Sequence, residues 1–209
     1  MIEVHAFTTP NSLKIPIALE EIGLPYRLVP VNLRTGEQKT DAFKVINPNG
    51  KVPVLIDRAA VEGADVTVSE SAAILVYLAE KSGMLLPKAP LNRSRVFEQL
   101  FFHASDFSPA FLQAFLVTTQ SPPQPQAQAR ALAEVERVLA VLNYHLDRRP
   151  YVAGDAYSIA DIAHFGWVWR HQAVKTRLEP FPSISRWYAE LSARPAVITA
   201  ISKTMALAL

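Results

Sequence analysis

The chain has 209 residues, half of them hydrophobic, and its 21 basic and 19 acidic residues give a net charge of +2. This even balance does not suggest a nucleic-acid-binding surface, and the absence of cysteine excludes disulfides, thiolate metal sites and a redox pair carried by the protein itself. No apolar run approaches the ~18 residues that a membrane span needs, and Glu3 and His5 interrupt the first apolar segment, so we expect a cytoplasmic protein without a secretory signal that binds neither nucleic acid nor membranes.

Strands and helices alternate in the first 82 residues. The pattern of apolar residues predicts four strands, at residues 2–7, 26–33, 52–56 and 65–68, and three helices, at residues 13–22, 41–45 and 71–81. Because proline disrupts a helix interior, the first helix is predicted to begin close to Pro16. This order of elements fits one small α/β layer.

A change of composition at residues 83–91, which contain Gly83, Pro87 and Pro90, marks a linker. Everything after it is predicted to be helical, at residues 93–118, 126–147, 158–171, 183–192 and 196–207. We therefore predict an α/β domain at residues 1–82 and an all-α domain at residues 92–209.

Two motifs in the first domain carry the most information about function. NPNGKVPVLID, residues 47–57, joins a turn to a strand that opens with Pro53, and VSESAAILVYLAE, residues 68–80, places Glu70 and Ser71 at a helix start. A strand can pair with an extended peptide, and the N–H groups at a helix start attract a carboxylate. Together the motifs indicate a receptor for a small peptide. The structural alternative is a strand-initiating proline and a helix capped by Ser69 or Ser71.

Two further motifs complete a known order of elements: Thr9-Pro10-Asn11 after the first strand, and YVAGDAYSIADIAHF at residues 151–165. With them the whole chain resembles the cytosolic glutathione transferases. The TPN turn resembles the nu-like bacterial members, which are similar to glutathione-dependent disulfide reductases, whereas FSPAF, residues 107–111, looks more like the beta class. The resemblance implies a thioredoxin-like domain with a mixed four-stranded sheet, an all-α second domain, and a homodimer that uses glutathione as co-substrate and no metal.

The resemblance assigns Thr9 and Asn11 to the thiol end of glutathione, where they orient the sulfur. A free thiol has a pKa near ~8.5 and the thiolate is the nucleophile, so lowering that pKa by ~2 units takes roughly 2.7 kcal/mol of preferential interaction with the anion. Hydrogen-bond donors and a helix N-terminus can supply it. Without the resemblance, TPN is an ordinary turn and helix cap.

The rest of the tripeptide is assigned, again by resemblance, to the two longer motifs. Val52, ahead of a cis Pro53, presents its backbone to the cysteinyl unit. The γ-glutamyl carboxylate meets the Ser71 hydroxyl and free N–H groups, and Glu70 faces the γ-glutamyl ammonium. The glycyl end is assigned to two polar side chains, Gln38 and Lys51. Taken without the family, Lys51 is simply an exposed turn lysine.

Three side chains of the second domain are candidates for a second-substrate pocket. Phe107, Phe111 and Phe115 repeat along one helix face, for which core or dimer packing is the favoured interpretation. The alternative makes Phe107 and Phe111 walls of an apolar pocket. By similarity to the beta class, His103 is a candidate auxiliary near the sulfur, although such a histidine is more often a packed side chain.

The remaining signals are structural or negative. Residues 158–161, Ser-Ile-Ala-Asp, fit a capping box with Asp161 in the N3 position. The five histidines form no metal-ligand spacing with acidic residues, and the sequence has no phosphate-binding glycine loop.

Two functions stay open on this basis. The favoured one is a glutathione transferase that activates the glutathione thiol for attack on an electrophilic carbon or on a disulfide. Because the chain has no cysteine, both thiols of a thiol–disulfide exchange would come from glutathione. The alternative is a glutathione-binding or regulatory module of the same fold without turnover, since a fold alone does not certify an activity.

Overall fold

The computed structural model describes residues 1–61 and 63–208. Its internal contacts divide the chain into two compact units. One consists of Met1–Met84 together with Arg194–Leu209, and the other of Leu85–Ala193.

A mixed four-stranded sheet forms the centre of the first unit, as predicted. Its strands are β1 (Ile2–Ala6), β2 (Tyr26–Pro30), β3 (Val54–Val61) and β4 (Ala64–Ser69), in the spatial order β2-β1-β3-β4. β1 and β2 are parallel, and the β1–β3 and β3–β4 pairs are antiparallel. The thioredoxin-like fold class predicted for this part of the chain is confirmed.

Helix α1 (Pro10–Ile22) begins six residues before Pro16, so the prediction that it starts close to Pro16 was wrong. Thr9 caps the helix because its Oγ1 accepts the Ser12 N–H at 3.1 Å, and Pro10 occupies the first turn, where a missing N–H does no harm. The helix ends at Gly23, whose φ of 69° completes a left-handed cap. These start and stop signals outweigh the single backbone hydrogen bond that an interior proline removes.

Two shorter helices follow in the first unit, α2 (Asp41–Ile46) and α3 (Ser71–Ser82). Thr40 caps α2 by accepting the Phe43 N–H at 3.3 Å. Phe43 is buried in a small cluster with Val31 and Val54, which fixes α2 beside the start of β3.

The second unit consists of helices, as predicted for this region. They are α4 (Pro90–Phe102), α5 (Ser108–Thr119), α6 (Pro125–Arg148), α7 (Ile159–Val168) and α8 (Pro182–Ser192). A π-helical turn at His103–Phe107 joins α4 to α5, so the one helix predicted at residues 93–118 is a single helical run with a wider turn inside it. The capping box at the start of α7 is confirmed.

The run Pro90–Thr119 is long and apolar enough to cross a membrane by length and composition alone. The core helix of a helical domain meets the same criteria. Here the run packs against α6 and α7, and Phe107 and Phe111 within it are completely buried.

The last helix, α9 (Pro195–Met205), packs on α1 and belongs by its contacts to the first unit. Arg194 donates to both carboxylate oxygens of Glu21 at 2.6 and 2.8 Å, and Lys203 lies 2.6 Å from Glu20. The predicted second domain, residues 92–209, differs from the observed grouping at this end. The difference arises because α9 packs on α1, with Val197 and Ala200 completely buried.

Candidate functional site

The predicted site residues of the first unit surround one edge of its sheet. Val54 at the start of β3 pairs with His5 near the end of β1 and with Ser69 at the end of β4. The residues that follow β1, precede β3 and follow β4 are therefore at the same edge, together with the N-termini of α1 and α3. This arrangement brings together residues as far apart in the sequence as Thr9 and Ser71.

Thr9 and Asn11 lie in the first turn of α1, and their hydrogen bonds differ. The Thr9 hydroxyl accepts the Ser12 N–H and donates to Ser12 Oγ at 2.9 Å, so it is engaged in capping the helix. Asn11 Oδ1 accepts from Lys14 Nζ at 2.8 Å. Within residues 1–61 and 63–208 the structure contains no acceptor for Asn11 Nδ2, which leaves that N–H group as a donor for a ligand.

Lys14 is a site residue that the sequence analysis missed. It is only 1% exposed, and its Nζ donates to Asn11 Oδ1 and, at 3.2 Å, to Ser71 Oγ. Burial lowers the pKa of Lys14 to about 7, and the nearby charge of Glu70 opposes that effect. The signal available in the sequence was a lysine inside the otherwise uncharged run Ser12–Leu19, where every residue is buried.

Glu70 is the N-cap of α3, and its backbone is unusual. Its φ is 66° and its ψ 117°, a region that costs a residue with a side chain on the order of 1–3 kcal/mol and that occurs mainly at functional sites. The side chain makes no capping hydrogen bond to the helix, so the first-turn N–H groups stay uncapped. Neither Ser69 nor Ser71 is the N-cap, which corrects that structural alternative. Glu70 Oε1 instead accepts from Asn49 Nδ2 at 3.2 Å.

The Val52–Pro53 peptide bond is cis, as the family resemblance implies. Pro53 is buried and Val52 half-buried immediately before β3. For the part of the chain that the structure describes, no protein group bonds to the backbone N–H or C=O of Val52. Both groups are therefore available to pair with an extended ligand.

The turn at residues 47–51 is held by its own asparagine. Asn47 is 3% exposed, its Nδ2 donates to Lys51 O at 2.7 Å, and its Oδ1 accepts the Asn49 N–H at 3.1 Å. Gly50 is required because its φ is 61° and a Cβ there would lie 2.9 Å from Gln38 O. The turn is thereby fixed against the segment that carries Gln38.

The two residues predicted for the glycyl end differ in their surroundings. Lys51 is exposed. Gln38 is half-buried, and its Oε1 is a buried acceptor that finds no donor among the described residues. Lys39 Nζ donates to Gly50 O at 3.2 Å and joins the two segments.

The three candidates of the second unit are packed against one another in its interior. His103 stacks on Phe107 with ring centroids 5.7 Å apart, Phe107 stacks on Phe111 at 4.9 Å, and Phe111 meets Trp167 at 5.9 Å. Their exposed fractions are 2%, 0% and 0%. This packing agrees with the core interpretation for Phe107 and Phe111, whereas Phe115 is 40% exposed and lies outside the core. The second-substrate role of His103, Phe107 and Phe111 stays a prediction.

The described residues contain no group of three or more histidine and acidic side chains that could hold a metal ion. The chemistry that the edge of the first unit offers is instead that of hydrogen-bond donors. It combines the Asn11 amide, the Ser71 hydroxyl, an uncapped helix start, a free backbone edge at Val52 and the buried Lys14.

Comparisons with known proteins agree with this fold. Residues 8–81 match the family described as glutathione S-transferase, N-terminal domain, and residues 107–195 match glutathione S-transferase, C-terminal domain. The chain is 36% identical over 207 residues to the disulfide-bond oxidoreductase YfcG of Escherichia coli, covering 97% of this chain and 95% of that protein.

Solved structures give the same result. A glutathione transferase family member from Pseudomonas fluorescens, with two glutathione bound, has a TM-score of 0.90 and 34% identity, covering 96% of this chain and 92% of that one. A glutathione transferase from Pseudomonas putida, with one glutathione disulfide bound per subunit, has a TM-score of 0.87 and 32% identity, covering 96% and 90%. The chain belongs to the glutathione S-transferase family.

Proposed function

We propose that this chain binds glutathione at the sheet edge of its first unit and uses the glutathione thiol to reduce disulfides. Membership of the family supports a glutathione-dependent transferase or reductase activity. The observation that carries the finer proposal is the Asn11 amide, whose Oδ1 is held by Lys14 so that Nδ2 is left to donate to the glutathione sulfur.

Binding would use the other groups at that edge. The γ-glutamyl carboxylate would accept from the Ser71 hydroxyl and the uncapped N–H groups of α3, while the ammonium faces Glu70. The cysteinyl backbone would pair with Val52, ahead of the cis Pro53, as in strand addition. The glycyl end would meet the two remaining polar side chains, Gln38 and Lys51.

The reaction would proceed as two thiol–disulfide exchanges. A glutathione thiolate attacks one sulfur of the disulfide substrate, forming a mixed disulfide and releasing one thiol, which takes up the proton. A second glutathione thiolate then attacks the glutathione sulfur of the mixed disulfide and releases the second thiol. Two glutathiones are oxidised to glutathione disulfide and one disulfide is reduced to two thiols. Relatives with two glutathione or one glutathione disulfide bound support this stoichiometry, and a chain without cysteine requires it.

Thr9 and Asn11 would stabilise the thiolate, with Asn11 the main donor, because the single hydroxyl hydrogen of Thr9 is donated to Ser12 Oγ and would have to turn from it to reach the sulfur. On the basis of the family resemblance we further propose that the protein is a cytoplasmic homodimer. Analytical ultracentrifugation would measure the mass of the dimer. His103, Phe107 and Phe111 are retained as candidates near a second substrate, although their burial gives that role little support.

The test is a steady-state assay with glutathione and a small hydroxyalkyl disulfide, run beside a chloronitrobenzene electrophile. Asn11→Ala should lower kcat/KM for the disulfide about 10–100-fold, the effect of one hydrogen bond to a charged group. Asn92→Ala, which replaces an exposed asparagine of α4, is the matched control and should leave the rate unchanged.

Other outcomes separate the alternatives. Turnover of the electrophile alone would identify a conjugating transferase. Heat on titration with glutathione but no turnover of either substrate would identify a binding module. No heat with reduced or oxidised glutathione would overturn the proposal.

A further inference from the structure

A buried lysine ammonium is costly, and Lys14 sits where an apolar residue would fill the same space. Its neighbours in the chain, Leu13 and Ile15, are both completely buried. An ionised group removed from water loses several kcal/mol of solvation unless its partners compensate. The contacts that Lys14 makes are therefore the place to look for its role.

Those contacts fix the polarity of two site residues. A lysine ammonium has three N–H donors and no acceptor. Asn11 must therefore turn Oδ1 towards the charged form of Lys14, as it does at 2.8 Å, which directs Nδ2 away from it. In the same way Ser71 Oγ accepts from Lys14 at 3.2 Å, which leaves the hydroxyl hydrogen to donate elsewhere.

We propose that Lys14 is a positioning residue, which orients the Asn11 amide towards the glutathione sulfur and the Ser71 hydroxyl towards the γ-glutamyl carboxylate. This inference rests on the proposed function, because both targets belong to glutathione. One side chain thereby couples the first turn of α1 to the start of α3, across 57 residues of sequence. Lys14 thereby orients both the group that donates to the glutathione sulfur and the group that donates to the carboxylate.

The charge of Lys14 responds to the ligand. Burial lowers its pKa to about 7, and Glu70, at the N-cap of α3, raises it. Helix α9 also packs on α1. Arg194 at its N-cap bonds Glu21 and Lys203 within it bonds Glu20, both at the far end of α1. Bound carboxylate and thiolate groups would add negative charge near Lys14 and raise its pKa. Binding above pH 7 should therefore take up a proton at Lys14.

The experiment measures binding of S-methylglutathione by calorimetry at pH 8, in two buffers that differ in ionisation enthalpy. This probe has no thiol proton, so ionisation of the sulfur does not contribute to the proton count. Lys14→Met removes both the N–H donors and the charge, Lys14→Gln keeps N–H donors without the charge, and Lys14→Arg keeps both. Lys44→Met, at an exposed lysine of α2, is the matched control.

We expect Lys14→Met to bind about 10–100-fold more weakly, as expected for lost hydrogen bonds to a charged group. Its proton uptake should be smaller than that of the wild type. Lys14→Gln should regain part of the affinity but none of the proton uptake, and Lys14→Arg, whose guanidinium is already protonated at pH 8, should regain the affinity without the proton uptake. With reduced glutathione and the disulfide substrate, Lys14→Met should lower kcat as well as raise KM, because the thiol donor is misoriented even at saturation.

The failure of this inference differs from the failure of the proposed function. If the wild type binds neither glutathione nor the S-methyl compound, the proposed function fails. If the wild type binds and Lys14→Met binds equally well with the same proton uptake, only the role of Lys14 is overturned. Should Lys14→Met not give a cooperative unfolding transition, the comparison of Lys14→Gln with the wild type replaces it, and equal affinity together with equal proton uptake by these two proteins would equally overturn the role of Lys14.

Discussion

Two residues, one in each unit, carry an ionisable group that is almost completely buried at the start of a helix, and their environments are opposite. Asp161 in α7 accepts from the N–H groups of Val152 and Ser158, from the Ser158 hydroxyl and from Trp187 Nε1, at 2.9 to 3.1 Å. Lys14 in α1 donates to two side chains that belong to the candidate site.

The difference separates a buried charge bonded within the interior from one at the edge where we propose that glutathione binds. The partners of Asp161 are backbone groups and buried side chains, so its hydrogen bonds join α7, α8 and the segment before them into one packed structure. The partners of Lys14 are half-buried side chains at the edge of the sheet. The bonded partners of Asp161 lie in the interior, whereas two partners of Lys14, Asn11 and Ser71, lie where we propose that glutathione binds.

Replacing Asp161 should have the largest effect on stability. Asp161→Ala leaves the N–H groups of Val152, Ser158 and Trp187 without acceptors in the interior, and breaking such a buried network costs about 3–5 kcal/mol. Denaturant unfolding monitored by circular dichroism measures the loss. The control Asp155→Ala, at an exposed position of the preceding loop, should stay within about 0.5 kcal/mol of the wild type. A loss below 1 kcal/mol for Asp161→Ala would contradict the structural role.

Replacing Lys14 should have the opposite sign in the absence of ligand. Exchanging a buried ion for an apolar side chain of similar volume is often stabilising by about 1–4 kcal/mol. We therefore expect Lys14→Met to unfold at higher denaturant concentration than the wild type at pH 6, while it binds glutathione more weakly. A variant that is both less stable and weaker in binding would mean that Lys14 supports the fold as Asp161 does.

The pH dependence of stability should separate the two groups by sign. Burial raises the pKa of Asp161 to about 6 in spite of its four donors. Between pH 4 and 6 the folded chain holds this proton and the unfolded chain does not, so unfolding becomes easier as the pH rises, by at most about 1.4 kcal/mol per pH unit. The slope is measured by following the difference in unfolding free energy between the wild type and Asp161→Asn as a function of pH.

For Lys14 the order of the pKa values is reversed, because burial lowers the folded pKa to about 7. Between pH 7 and ~10 the unfolded chain holds the proton and the folded chain does not, so the wild type gains stability relative to Lys14→Met as the pH rises, with the same limit on the slope. A flat difference across either window would show that the corresponding group does not titrate there.

The parts of this site that the sequence predicted are those with local signals. The sequence predicted that Val52-Pro53 and Glu70-Ser71 lie together, and the pairing of Val54 with Ser69 brings the two motifs to the same edge of the sheet. The sheet and the helical unit followed from apolar periodicity. The capping box was predictable because its two residues, Ser158 and Asp161, are only three positions apart in the sequence.

The parts that were missed depend on contacts between distant residues. Lys14 is flanked by apolar residues in the sequence of α1. Only the fold shows that Asn11 and Ser71 both accept hydrogen bonds from its Nζ. The unusual φ of Glu70 is set by the junction of β4 with α3 and has no counterpart in the sequence. The packing of α9 on α1 could not be predicted for the same reason. The acidic partners of Arg194 and Lys203 lie 173 and 183 residues away on α1.

The position of α9 has a consequence for how the protein is made. During translation the first 84 residues leave the ribosome long before residues 194–208, yet α1 acquires one of its packing partners only when α9 arrives. The first unit therefore stays incomplete until the helical unit, which lies between its two parts in the sequence, has been synthesised. A fragment cut at residue 84 would expose the outer surface of α1, and adding α9 as a separate peptide should restore its cover.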